Sequence, residues 1–286
     1  MLISKNKRTM TLIIVIFVLL VLSFCIAWDN SALELNSLTI TSKDIPVAFD
    51  GFRIAHISDP HNAKFGDNNI QLIDLLQKAA PDIIVITGDL VDSRKTNISI
   101  ALHFAEEAIN IAPCYYVPGN HEARILEYDE LKNGLMDLGV SVLENDALEL
   151  TRTDDSVLLL GLQDPSFFTD HLFGDERAVT DRNLRSLMQD NHVYTILLSH
   201  RPELFDIYAK YDINLIFSGH AHGGQFRIPF IGGLAAPNQG LFPEYDAGMY
   251  TKGNTSMIVS RGIGDSVIPF RLNNPPEVIL VELQKH

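Results

Sequence analysis

Five short apolar runs, each closing on a polar tip, limit this chain to a sheet protein with its chemistry gathered at one edge. Ile54–His61 (IAHISDPH) ends in Asp59-Pro60-His61, and Ile83–Asp92 (IIVITGDLVD) carries Gly88-Asp89. Tyr115–Glu122 (YYVPGNHE) carries Gly119-Asn120-His121, and Thr195–Pro202 (TILLSHRP) carries His200. Ile216–Gln225 (IFSGHAHGGQ) holds His220 and His222 between glycines. Short β-branched runs bounded by turn residues read as buried strands. Strands alternating with helices in the first half, then mostly strands, predict an α/β fold of two packed sheets with helices outside. Ligands of such sheets sit beyond the carboxyl ends of the strands, where every tip falls.

The spacing predicts strands at Phe52–Ser58, Asp82–Thr87 and Cys114–Val117, and helices at Ile70–Ala79, Ile98–Ile111 and Leu126–Leu138. Ser37–Thr41 reads as a half-exposed edge strand after a linker. Val140–Leu143 and Ala147–Thr151 read as a strand pair, followed by Ser156–Leu160. Helix Asp181–Met188, strand Val193–Ser199, helix Pro202–Tyr211 and strand Asn214–Ser218 come next. Gln225–Ile228, Met257–Ser260 and Val278–Leu283 are expected in a second sheet.

Thr11–Trp28 (TLIIVIFVLLVLSFCIAW) is free of charge and follows Lys5, Lys7 and Arg8. It is long enough to span a bilayer core. Two readings stand, an uncleaved anchor and a cleaved signal peptide. Positive charge before the span places the N-terminus inside and the large domain outside. The chain thus divides into a basic, cytoplasmic N-terminus (1–10), the apolar segment (11–28), a linker with an edge strand (29–49) and one domain (50–286). The formal net charge is −14, and without the three leading bases the remainder holds 19 basic against 36 acidic residues, or −17. That balance argues against nucleic-acid binding, which needs a basic face, and against charge-driven adhesion to anionic lipid. Of two cysteines, Cys25 lies in the leader and Cys114 opens a buried strand, so no disulfide is expected and any metal must be held by His, Asp and Asn.

Asp59 and His61 stand two apart at a strand end, so both point the same way and can grip one cation. The same holds for His220 and His222 if that short stretch is extended. Asp89 offers two oxygens, as a bridge between ions would require. Asn120 adds a neutral oxygen and His200 a nitrogen. Seven such ligands suffice for a pair of divalent ions that would acidify a water and clamp a phosphoryl group.

In that order, Asp59-x-His61, Gly88-Asp89, Gly119-Asn120-His121-Glu122, His200 and Gly219-His220-x-His222 resemble the calcineurin-like metallophosphoesterase family, over about residues 50–285. The Gly-His-Ala-His-Gly-Gly-Gln form, the basic-then-apolar leader, and the stretches Ser260–Gly264 and Asn274–Val278 are similar to its membrane-anchored bacterial phosphodiesterase branch. The resemblance implies a four-layer α/β/β/α sandwich of two mixed sheets. It implies that Asp59, His61, Asp89 and His222 hold one ion and Asp89, Asn120, His200 and His220 the other, with manganese, iron or zinc usual. His121 would sit beside the phosphate and donate to it or to the leaving group. Hydrolysis of a phosphodiester or pyrophosphate would proceed by in-line attack of a metal-bridging hydroxide. Relatives imply a nucleotide-linked glycolipid such as UDP-2,3-diacylglucosamine as an alternative substrate; the predicted outward orientation counts against it. A non-catalytic metal-binding surface protein and a nuclease are the other readings, and no protein partner is expected. The sequence departs from the family twice. Gly88–Ser93 lacks the arginine of the protein phosphatases, and Pro60 replaces the usual leucine or threonine.

Other polar residues have quieter readings. Asp92 reads as a helix cap or as an acceptor for a neighbouring ligand. Arg201 and Arg261 either meet a substrate phosphate or pair with carboxylates. His56, His103, His171, His192 and His286 read as packing or surface residues. Pro165–Phe173 (PSFFTDHLF) and Pro229–Phe242 (PFIGGLAAPNQGLF) are rich in large apolar side chains. They either pack on the core or form a rim toward an apolar substrate or the membrane.

Overall fold

The computed structural model describes residues 2–30, 32–168, 174–188, 193–265, 268 and 270–286. Helix α1 (Leu2–Asp29) comes first. Its Thr9–Asp29 part is long and apolar enough to cross a membrane, and the apolar stretch is not buried against the protein. There follow β1 (Glu34–Ser42), β2 (Arg53–Ile57), α2 (Ile70–Ala79), β3 (Ile83–Thr87), α3 (Ile98–Ile109), β4 (Cys114–Val117), α4 (Tyr128–Asp137) and β5 (Ser141–Val142). Then come β6 (Asp146–Arg152), β7 (Asp155–Gly161), α5 (Glu176–Leu187), β8 (Thr195–Leu198), α6 (Phe205–Tyr208) and β9 (Leu215–Ser218). The short ribbons β10 (Arg227–Ile228) with β11 (Gly232–Gly233), and β12 (Ala235–Ala236) with β13 (Gly240–Leu241), precede β14 (Gly248–Lys252), β15 (Thr255–Val259) and β16 (Glu277–Lys285).

Two six-stranded mixed sheets form the body, in the orders β1-β16-β2-β3-β4-β5 and β14-β15-β9-β8-β7-β6. Strands β2 to β5 run parallel, as do β7, β8, β9 and β15. The apolar runs are unbroken because each strand is buried on both faces. In β3, Ile84 and Ile86 pack outward on Leu72 and Leu76 of α2 and Phe104 of α3. Ile83 and Val85 face inward, into a cluster shared with Ile196, Leu198, Leu215 and Phe217 of the other sheet. A third cluster joins Leu197, Ile216 and Met257 to Leu184 of α5 and to Phe205 and Tyr208 of α6. Three apolar clusters between helices, sheet, sheet and helices give the expected four layers.

Several elements depart from the sequence expectations. The strand expected at 278–283 lies in the first sheet, antiparallel to β2 and parallel to β1. Its apolar run suits either sheet; the segment before it decides, since Ile263 donates to the Ser58 carbonyl and Glu277 to that of Gly262. The expected edge strand is present as β1 at the edge of the first sheet, longer than expected and parallel to β16 over Glu34–Ser42. Val140–Leu143 and Ala147–Thr151 do not pair. Ser141–Val142 joins β4, and the chain then crosses at Asn145, which takes a left-handed φ of 61°, to pair β6 with β7. Helix α5 starts earlier than expected, where Asp175 accepts the Ala178 N–H at 3.0 Å. The expected helix 202–211 is a four-residue α6 between two 3-10 turns. Gln225–Ile228 forms a ribbon rather than a strand of the second sheet.

The central place of β16 has a measurable consequence. Leu283 is fully buried between the sheets, and Leu283→Ala should cost about 2–5 kcal/mol in urea unfolding. Removing residues 277–286 altogether should abolish cooperative melting followed by circular dichroism. A sharp melt of that truncated chain would show that the sheet closes without β16.

Candidate metal centre

All five polar tips meet where the carboxyl ends of β2, β3 and β4 in one sheet face those of β8 and β9 in the other. His200 Nδ1 lies 2.7 Å from the Thr87 carbonyl and ties the two sheets together. Close approach is obligatory. A Cβ at Gly219 would collide with Ser58 Oγ and Asp59 Oδ2, and one at Gly119 with Asp89.

Donor atoms converge in groups. Asp59, His61 and His222 form one, Asp89, His200 and His220 a second, and His61, Asp89 and His121 a third. His61 Nε2 is 3.2 Å from His222 Nε2, and Asp59 Oδ1 is 3.3 Å from the same His222 atom. His200 Nε2 lies 3.2 Å from Asp89 Oδ2, 3.2 Å from Asn120 Oδ1 and 3.1 Å from His220 Nδ1. Bonds of about 2.1 Å to a shared ion place neighbouring donors about 3.0–3.4 Å apart, so this donor set fits divalent metal. Asp89 Oδ2 stands between the groups, 3.5 Å from His61 Nε2. Its other oxygen, Oδ1, accepts the His121 N–H at 2.8 Å.

The tips are not extended. Asp59, His61, Asp89, His220 and His222 take φ of 53°, 46°, 52°, 63° and 49°. The members of each pair therefore converge through left-handed turns and not by strand alternation. Left-handed backbone is costly for side chains of this size and gathers at functional sites.

The electrostatics carry the mark of a cation site. Burial opposes the charge of Asp59, yet His222, His61 and His200 hold its carboxyl well below the usual range. Asp89 behaves likewise: burial opposes its charge, while His200, His61 and His121 lower its pKa. Burial depresses His200 too, but Asp89, Asp59 and Asp164 outweigh it and push the ring up to about 10. His220 is held far below 6.5 by burial, Arg201 and His200. Two buried carboxylates thus draw positive charge onto their neighbours, a demand that bound metal satisfies.

Residues around the centre hold it in shape. Glu122 accepts the N–H groups of Asp89, Val91 and Gly119 at 2.8, 3.2 and 2.7 Å, fixing the loops of Asp89 and Asn120 at once. Burial and the charge of Asp89 push its carboxyl up to about 7, against the pull of those N–H groups. Asn274 bonds the His222 and Gln225 carbonyls at 2.8 and 3.2 Å. Sequence reasoning quoted Glu122 and Asn274 but gave them no role. Asp164 was missed; it holds Arg201 through bonds of 2.5 and 3.0 Å. Arg201 is thereby committed to carboxylates, although its Nη1 also lies 3.3 Å from His220 Nε2. Arg261 pairs with Glu34 and Glu277 at 2.9 Å each.

His121 Nδ1 accepts the Ser93 N–H at 3.0 Å, so the neutral ring carries its proton on Nε2, 4.0 Å from Asp89 Oδ2. Burial lowers its pKa to about 4. Asp92 caps no helix. It bonds Arg94 at 2.9 and 2.8 Å and stands 3.6 Å from His121 Nδ1. Of the remaining histidines, His103 is partly exposed, 3.7 Å from Glu106, and His286 is exposed; His171 and His192 lie outside the described residues. In the first apolar loop Phe167 packs on Tyr128 at 4.9 Å and Phe168 is exposed, while 169–173 lie outside the described residues. In the second, Phe230, Ile231, Leu241 and Phe242 are exposed.

With fold and site in hand, comparison with known proteins gives a consistent result. Residues 52–224 match the calcineurin-like phosphoesterase family. A Bacillus subtilis protein described as the uncharacterized metallophosphoesterase YkuE is 31% identical, over 88% of this chain and 86% of its own length. The phosphodiesterase YaeI of Escherichia coli is 27% identical, over 81% of this chain and 82% of its own. A Bos taurus transmembrane protein with a metallophosphoesterase domain is 29% identical, over 86% of this chain and 57% of its own. The fold is similar to that of TT1561 from Thermus thermophilus, with a TM-score of 0.51 and 14% identity over 74% of this chain and 89% of that one. The chain belongs to the calcineurin-like phosphoesterase family and is a metal-dependent phosphoester hydrolase.

His56, behind the centre, supplies a test that needs no metal. Its ring packs on Phe217 at 5.0 Å, with Nε2 2.8 Å from Thr87 Oγ1. Burial pushes its pKa from 6.5 down to about 3, against the pull of Asp59. Between those values the unfolded chain binds a proton that the folded chain refuses, so stability falls as pH falls through the window. His56→Gln should flatten this part of the stability profile, read as urea midpoints of metal-free protein above and below a pH of about 5. An unchanged slope would show that His56 is not the group responsible.

Proposed function

We propose that the chain is a membrane-anchored phosphodiesterase or pyrophosphatase working with two divalent ions. The observation that carries this reading is the position of Asp89 Oδ2, 3.5 Å from His61 and 3.2 Å from His200, between two separate donor groups. Asp59, His61, Asp89 and His222 would hold one ion; Asp89, Asn120, His200 and His220 would hold the other. Manganese, iron or zinc suit this mixed nitrogen and oxygen set. Such ions, when bound, acidify water and withdraw charge from phosphoryl oxygens.

The chain's own part is positioning. His121 presents Nε2–H to the phosphoryl or leaving oxygen, because the Ser93 N–H occupies Nδ1. A low pKa keeps this ring neutral, a hydrogen-bond donor rather than a fixed cation. Glu122 keeps the Asp89 and Asn120 loops in register. Water oxygen bonds to phosphorus as the ester oxygen departs on the opposite side, with no phosphorylated side chain between. A diester is favoured by the likeness to the E. coli phosphodiesterase. The Thr9–Asp29 helix supports anchoring, and Lys5, Lys7 and Arg8 ahead of it favour an extracytoplasmic domain. Turnover of the full chain in detergent tests this. After metal stripping, bis-p-nitrophenyl phosphate hydrolysis should return on adding manganese, zinc or iron and exceed that of p-nitrophenyl phosphate. Asp89→Asn should lose metal at both positions and lose activity. His121→Ala should keep its metal while kcat falls by about 10²–10⁴. Two tightly bound ions without turnover of either ester would favour a binding protein, and no bound metal would sink the reading.

A further inference from the structure

The segment Arg271–Asn273 stands against the foot of helix α1, and the contacts between them are specific. Asn30 and Arg271 bond reciprocally: the Arg271 N–H donates to Asn30 Oδ1 at 3.0 Å, and Asn30 Nδ2 to the Arg271 carbonyl at 3.3 Å. The Asn273 N–H donates to Asp29. Arg271 is itself 1% exposed, with its guanidinium donating to the carbonyls of Arg261, Asn274 and Gly264. The helix is therefore bolted to the domain rather than joined by a free tether. Leu272 and Asn273 share a niche with Phe24, Trp28 and Asp29. Phe24 lies about 7.5 Å along the helix axis from Asp29 at 1.5 Å per residue. Leu272 thus sits level with the apolar part of the span.

From Leu272 the apolar surface continues outward. Phe226 bridges to Leu272, the Arg227 N–H donates to the Leu272 carbonyl at 3.0 Å, and the Phe226 and Phe270 rings meet at a tilt of 37° with centroids 5.3 Å apart. The ribbon β10–β11 then turns at Phe230 and Ile231, which are 109% and 65% exposed. Phe270 and Ile268 are exposed next to it. Phe230 holds a φ of 67°, at a place where glycine would be unstrained and an aromatic ring is not. Folding alone gives no reason for a strained, fully exposed phenylalanine there.

We propose that Phe230, Ile231, Ile268 and Phe270 insert into the bilayer leaflet from which α1 emerges, so that the domain is seated on the membrane at two places. The occupant is lipid because the patch is continuous with α1 through Leu272, and because a domain of net charge −17 gains nothing from anionic headgroups, so its grip must be apolar. The seat adjoins the metal centre. Gln225, three residues after His222, donates to the Ile268 and Phe270 carbonyls at 2.8 and 2.7 Å, and Gly224 closes directly on Gly233 of the ribbon. A seated domain would hold its ligand loops at headgroup level.

The chain has a single tryptophan, Trp28, which gives the test its internal control. The full-length protein is reconstituted in phosphatidylcholine vesicles that carry bromines on the acyl chains near the headgroup. Quenching of Trp28 in the wild type reports that α1 is inserted. Trp28→Phe combined with Phe230→Trp should be quenched comparably, and equally at low and high salt. Trp28→Phe with Val47→Trp should not be quenched, since the exposed Val47 lies beyond the far end of β1, about 30 Å from α1 at 3.3 Å per residue. Quenching at 28 without quenching at 230, or quenching at 230 that high salt removes, overturns the apolar seat. Absence of quenching at 28 overturns it as well, by removing the span. The readout needs no turnover, so an inactive enzyme leaves it intact.

Discussion

Two buried carboxylates, Asp59 and Asp89, share one cluster of imidazoles, and the architecture around them serves to keep that charge in place. A buried charge without partners is among the most expensive things a fold can contain. Here Ser58 and the His220 N–H bond Asp59, the His121 N–H bonds Asp89, and the histidines facing both supply the remainder. The five candidate ligands with left-handed backbone add a further cost, on the order of 1–3 kcal/mol each. Such turns persist only on rigid supports. Paired parallel strands, buried on both faces and ending side by side, are that support, and the close approaches at Gly119 and Gly219 leave the tips no room to relax.

Much of this was legible in the sequence because chemistry and folding use the same residues. The run IIVIT can only be a strand covered on both faces, and the polar residues following it must then lie on the sheet edge. All seven expected ligand residues do come together there. What was not legible is the path of the backbone through the tips. Spacing of two suggested an extended strand for Asp59 and His61, whereas the convergence comes from left-handed turns that no side-chain pattern announces. The position of β16 was equally hidden. Its apolar run fits either sheet, and the choice is made by hydrogen bonds from Ile263 to Ser58 and from Glu277 to Gly262. Arg201 had two readings of equal weight until Asp164 was seen to hold it. The role of Glu122 depends on three N–H groups that meet only once two separate loops have folded.

The acidic exterior shapes how such a centre is reached. A substrate phosphate is an anion approaching a protein of like net charge, so long-range steering cannot speed encounter. Attraction would be confined to the short range of the centre itself, through its imidazoles and the divalent ions that they would hold. A substrate class already concentrated near the protein has less need of steering than one arriving from dilute solution.

The position of β16 also sets an order of events in the life of the chain. This strand lies between β1, which leaves the apolar helix, and β2, which carries Asp59 and His61. A nascent chain therefore emerges with its first strands separated by a gap that only residues 277–285 can fill. Asp59 and His222, the first and last of the seven candidate ligands, follow β2 of one sheet and β9 of the other. The candidate centre is thus framed by a strand that follows all of its members in sequence and lies in the sheet of only some of them.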